Sequence, residues 1–215
     1  MSRAELKSLS KQQIKGKLGV LFVIFLIAAA IGIVSNYILA EIPIIGPLAY
    51  MVVIVPAISF SLVSVYLKVA LSEDVKIKNA FDGFENFWGA FKVTFFTGLF
   101  TFLWSLLFVI PGIIKAFSYS MAMYVLAENK DIGALEAIKK SKEMMKGHKM
   151  ELFVLELSFI GWALLAALTF GIAYIWVYPY MYTTLANFYM SIKPAGEICH
   201  VVSEPIIEEV VENEN

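Results

Sequence analysis

The sequence predicts an all-α polytopic membrane helix bundle, with six transmembrane helices and amphipathic interfacial helices on the cytoplasmic side. Three observations predict it. Sixty per cent of the 215 residues are hydrophobic and 16% are charged, against roughly 25% charged in a soluble domain. A soluble fold of this size could not bury that much apolar surface, so the solvent is lipid. The charge-free runs at 18–40, 42–67, 93–114, 116–127 and 157–192 then supply the spans, since a helix rising 1.5 Å per residue crosses the bilayer in about 20 residues. Finally, the basic residues divide almost completely to one side of a six-span path.

The first run, Leu18 to Ala40, has 23 residues. It exceeds the 7–15 residues of a signal-peptide core and reads as a retained span. Pro43, Gly46 and Pro47 make the turn into a second span at 47–70. The interval 93–127 is interrupted only by Lys115 and would reach roughly 52 Å if straight. Pro111-Gly112 offers the break, giving spans at 88–110 and 112–128, with Lys92 snorkelling to the headgroups. The charge-free run 157–192, roughly 54 Å as one helix, must fold back near Thr169-Phe170-Gly171. Its two helices, 150–170 and 172–192, fit only if the fifth starts near Met150, which draws Glu156 toward the membrane.

Six spans leave 1–17, 68–92, 128–149 and 193–215 on one side. These segments hold 16 of the 17 Lys and Arg residues, all but Lys115. The positive-inside rule then puts both termini in the cytoplasm. Residues 1–193 form one membrane domain. The tail 194–215 carries six glutamates and no Lys or Arg and is predicted to be disordered.

Two inner loops read as amphipathic helices. Ala134, Ala137, Ile138, Ser141, Met144 and Met145 share one helical face, opposite Lys139, Lys140, Glu143 and Lys146. Ile77, Phe81, Phe84, Phe87, Trp88 and Phe91 make an aromatic stripe before the third span. Such faces either lie in the membrane interface, lysines toward anionic headgroups, or pack on the bundle's own inner surface. Candidate headgroup contacts are Lys139, Lys140, Lys142, Lys146 and Lys149. Ser10–Gly16 also aligns with Ser141–Gly147. This pattern arises from three copies of one unit, an amphipathic segment followed by a helical hairpin, or from lysine-rich lead-ins alone.

Little in the chain points to catalysis. His148 and His200 lie outside the spans, no HExxH, GxSxG or Walker A motif occurs, and no span carries an aspartate. The expectation is a protein that is not an enzyme, with no metal and no cofactor. A net charge of −1 predicts no nucleic-acid partner. Cys199, the single cysteine, cannot form an intramolecular disulfide. The hydroxyls of Ser118 and Ser120 are expected to bond back to their own helix. Two ionisable residues are candidate intramembrane polar sites. Glu156 is either a functional carboxylate or the ion-pair partner of Lys68 or Lys92. Lys115, near the outer surface, snorkels or meets Glu41. Trp176 and Tyr174 read as an outer aromatic belt, and Pro179 as a kink in the sixth helix.

Ile110-Pro111-Gly112-Ile113-Ile114-Lys115-Ala116-Phe117-Ser118-Tyr119-Ser120-Met121, Asp131 to Ser141, Met144 to Lys149 and Phe159-Ile160-Gly161-Trp162 together resemble the domain-of-unknown-function 975 family of bacterial integral membrane proteins. That family is similar in layout to the membrane-anchor domains of some glycerophosphodiester phosphodiesterases. Members often carry a proline before the tyrosine of the fourth span, where this chain has Met123 before Tyr124. The resemblance implies a multi-pass protein of a bacterial plasma membrane and assigns no catalytic residue. Two roles are open: an accessory or scaffold protein contacting membrane lipids, other membrane proteins or itself, or a small transporter or exporter conferring resistance to a membrane-active compound.

Overall fold

In the computed structural model, which describes residues 2–42, 45–169 and 173–193, every regular element is helical. The chain opens on α1 (Arg3–Ile14), started by a capping box in which Ser2 Oγ accepts from the Glu5 N–H and Glu5 answers the Ser2 N–H at 2.8 Å. Leu6, Ser10 and Ile14, spaced four apart, are its buried stripe. A long helix, α2 (Leu18–Ala40), buries only Leu21, Ile24 and Ala28. Its other faces are as apolar as the buried one, as expected where the surroundings are lipid.

The return helix has three parts: α3 (Ile45–Ala49), a π-helical turn at Tyr50–Ile54, and α4 (Val55–Ala70). Pro56 explains the widened turn. It has no N–H to give and its ring would strike a carbonyl one turn back, so the helix loosens before it. Beyond Pro56, α4 is the most enclosed helix, with Phe60 through Leu67 buried. A 3-10 turn (Ile77–Phe81), the four-residue α5 (Asp82–Glu85) and α6 (Phe87–Leu107) follow.

Phe108 alone, extended at φ −157° and ψ 136°, separates α6 from α7 (Val109–Tyr119). The reversal therefore falls three residues before Pro111, which sits in the first turn of α7, where a missing N–H costs nothing. α8 (Ala122–Glu128) continues after a break at Ser120-Met121, and α9 (Ala134–Met144) packs against α6, α7 and α8. α10 (Lys149–Leu157) and α11 (Ile160–Leu168) are offset at Ser158-Phe159, and α12 (Tyr174–Ser191) carries Pro179 within it. Ser118 and Ser120 donate back to Ile114 and Phe117, each at 2.9 Å.

Five stretches are long and apolar enough to cross a membrane: Leu18–Ala40, Ile45–Ala70, Phe87–Leu106, Val109–Glu128 and Lys149–Leu168. α12 is not among them. Its five tyrosines, Pro179, Thr183, Thr184 and Asn187 lower its hydropathy, and most of those groups face protein instead of the outside. The most polar of the long helices is thus an inner one. Part of the expected turn at Thr169-Phe170-Gly171, and the acidic tail, lie outside the described residues.

A threefold logic runs through the contacts. α1 packs on α12, the 3-10 turn and α5 pack on α4, and α9 packs on α8. Each short segment thereby docks on the second helix of the preceding hairpin, with the first segment closing the ring onto the last hairpin. Gly16 and Gly147, equivalent in the repeat alignment, both take φ +86° between a short helix and the start of a membrane-length stretch. A side chain would strain that left-handed turn.

Candidate functional site

The polar groups of the protein gather where the short helices meet the ends of the long ones. Asn187 on α12 donates to Ser10 Oγ at 3.0 Å and to Gln13 Oε1 at 2.6 Å, and Gln13 donates to the Ala70 carbonyl at 2.8 Å. That chain ties α1 to α12 and α4. Ser141 on α9 donates to the Ser118 carbonyl at 2.9 Å. The third network centres on Asp82, which receives Lys68 at 3.0 Å, Ser64 at 2.9 Å and Asn79 at 3.3 Å. Burial alone would raise the Asp82 carboxyl, but these donors outweigh it and hold it below its ordinary value. A fourth network joins Glu128 to Tyr189 and to the buried Lys193.

These contacts decide several expectations. Lys68 is matched to Asp82, so it is not the partner of Glu156. Glu156 lies on an exposed side of α10, within electrostatic reach of Tyr124. Its carboxylate makes no hydrogen bond or ion pair among the described residues. Lys115 stands 4.4 Å from the centre of the Trp104 ring, a cation–π contact in place of Glu41. The apolar stripe of α9 is covered by protein: Ala137, Ser141 and Met145 are fully buried, Ala134 and Ile138 nearly so, and Met144 partly. This stripe is thus not free to enter lipid. Opposite it, Lys139, Lys142 and Lys146 are exposed, while Lys140 and Lys149 are partly covered.

The aromatic stripe behaves the other way. Ile77, Phe81, Phe84 and Trp88 point outward, with Trp88 69% exposed, while Asn79 and Asp82 turn inward. The sequence showed the aromatic face of this segment but not the carboxylate behind it. Asp82 sits in a four-residue helix with no periodic signal of its own, so nothing in the sequence reading marked it as the partner of Lys68.

An aromatic cluster fills the interior between α2, α4 and α12. Tyr178 lies tilted against Tyr182 at 4.3 Å and against Phe25 at 5.0 Å, and Tyr182 stacks on Tyr66 at 5.4 Å. Above it a groove of about 610 Å³ runs between α2 and the π-helical turn, past Gly32, Asn36, Tyr37 and Tyr50. A second of about 590 Å³ follows Thr94, Thr97, Thr101 and Ser105 along α6. A third of about 460 Å³ lies at the end of the bundle nearer the termini, among Ser2, Arg3, His148, Glu151, Phe188 and Ser191. No group of three or more His, Cys, Asp or Glu side chains is placed to hold a metal ion among the described residues.

Compared with known proteins, the chain matches one family model, described as "Protein of unknown function (DUF975)", over residues 1–118 and 106–195. No curated protein and no solved structure matches it.

Proposed function

The chain belongs to the DUF975 family, and from that premise we propose a non-enzymatic accessory or scaffold protein of the bacterial plasma membrane that contacts anionic lipid and membrane partners. In this reading α12 is a sixth span, both termini are cytoplasmic, and the short helices lie at the inner surface. One observation carries it. The short segments are fastened to the bundle by their own polar networks, yet present lysines (Lys139, Lys142, Lys146) or aromatic rings (Phe81, Phe84) outward. Cations and amphipathic rings are the groups that suit a headgroup layer, and they need a rigid support to act together.

Lipid retention tests this. Protein purified in mild detergent and exposed to an equimolar mixture of phosphatidylglycerol and phosphatidylcholine should retain the anionic lipid preferentially. Lys139→Gln/Lys142→Gln/Lys146→Gln should reduce the preference, and so should added salt. Equal retention of both lipids by the wild type would reject the reading.

Glu156 supports a second reading, a small exporter. A carboxylate within a span, beside Tyr124 and without an ion-pair partner among the described residues, suits a proton or a cationic substrate. Glu156→Gln should then abolish a pH-dependent transport or resistance phenotype while the protein still folds. A fully active Glu156→Gln protein would remove this reading.

A further inference from the structure

We propose that the basic face of α1, beside the break from α10 to α11, binds the phosphate headgroup of an anionic phospholipid, held by Arg3, Lys7 and Lys11. The proposal rests on the lipid-contact reading above and gives it a site.

Arg3, Lys7 and Lys11 follow one another at four-residue spacing and share one face of α1. None has a carboxylate partner among the described residues. The nearby acids are engaged elsewhere: Glu5 in the capping box and Glu151 with His148 at 2.9 Å. Three like charges in a row weaken a helix, and here they also meet apolar surroundings. Lys7 Nζ lies 4.5 Å over the centre of the Phe159 ring, and Lys11 Nζ lies 5.5 Å over that of Tyr180. Burial, and then the charges of Lys11 and Arg3, hold the Lys7 ammonium below its ordinary value. An anion there would offset both the repulsion and the burial of charge.

Arg3 also lines the neighbouring cavity of about 460 Å³ between α1, α10 and α12, which Lys7 and Lys11 do not line, with Ser2, His148, Ser191 and the His148-paired Glu151 around it. The aromatic floor continues to Trp162, edge-on to Tyr180 at 6.4 Å and 39% exposed. Past the break, Ile160, Leu164, Leu165 and Leu168 are exposed along α11. That apolar lane gives acyl chains a path and selects a lipid over a free phosphate.

The test uses full-length protein in nanodiscs with Trp162 as its only tryptophan (Trp88→Phe, Trp104→Phe, Trp176→Phe). Phosphatidylglycerol brominated near the headgroup should quench Trp162 about twofold or more over brominated phosphatidylcholine at equal content. Lys7→Gln/Lys11→Gln should bring the ratio to one, and Lys7→Arg/Lys11→Arg should keep it. Inorganic phosphate should lower it no more than chloride at equal ionic strength, and the Lys139→Gln/Lys142→Gln/Lys146→Gln variant should leave it unchanged. A wild-type ratio of one, or a ratio unmoved in a folded Lys7→Gln/Lys11→Gln protein, overturns the site. Loss of the ratio with phosphate but not with chloride at equal ionic strength overturns it as a lipid site. If anionic lipid is still retained in the mixed-lipid assay, the general reading survives; equal retention there removes both.

Discussion

Asp82 anchors a helix too short to hold itself. Four residues cannot nucleate a stable helix alone, so α5 stays in place because its carboxylate takes hydrogen bonds from Lys68, Ser64 and Asn79. Asp82→Asn should lower stability by about 2–3 kcal/mol, because it leaves Lys68 without its counter-charge. Thermal melting in detergent would measure this, and Lys68→Met combined with Asp82→Asn should recover part of the loss. The sign with pH follows from the lowered carboxyl. Its contribution is fully present above the ordinary carboxylate pKa and is lost as pH falls through the folded value, so the wild-type melting point should drop in acid more steeply than that of Asp82→Asn. Single residues were unevenly legible in the sequence. The back-bonding of Ser118 and Ser120 followed from their place in a span. The partner of Lys68 did not: the sequence reading offered Glu156, and packing supplied Asp82 instead.

Among the elements, the linkers between short and long helices are the most informative. Gly16 and Gly147 share φ +86°, with open space where a Cβ would go, so the cost of a side chain there is backbone strain and not a clash. Gly16→Ala and Gly147→Ala should each destabilise by about 1 kcal/mol. Gly133→Ala, at φ −65° and also facing open space, should change the melting point little. Equal effects at all three positions would show that the left-handed turns do not matter. The stripe of α9 was legible because apolar residues recur at helical spacing, but the sequence left open whether lipid or protein covers it. The helix breaks were less legible. Pro111 drew the predicted reversal to itself, although proline is tolerated in a first turn and the chain turns at Phe108 instead. The offsets at Ser120-Met121 and Ser158-Phe159 carry no proline or charge to mark them.

At the scale of the whole molecule, composition and run length told the architecture more reliably than any motif. Five apolar stretches were visible as such. The sixth helix was visible only through arithmetic, since a charge-free run of 36 residues must fold back. The reason is physical: α12 packs against α1, α2, α4 and α11, so its polar groups meet protein and its hydropathy understates its place in the bundle. The central claim is a six-span path with both termini inside, and the native Cys199 tests it with no substitution. In bacterial spheroplasts an impermeant thiol reagent should leave Cys199 unlabelled until lysis. With Cys199→Ser as background, Phe108→Cys, at a position 71% exposed in the hairpin turn, should label before lysis and Lys142→Cys only after it. Labelling of Cys199 or of Lys142→Cys from outside intact spheroplasts would contradict the account.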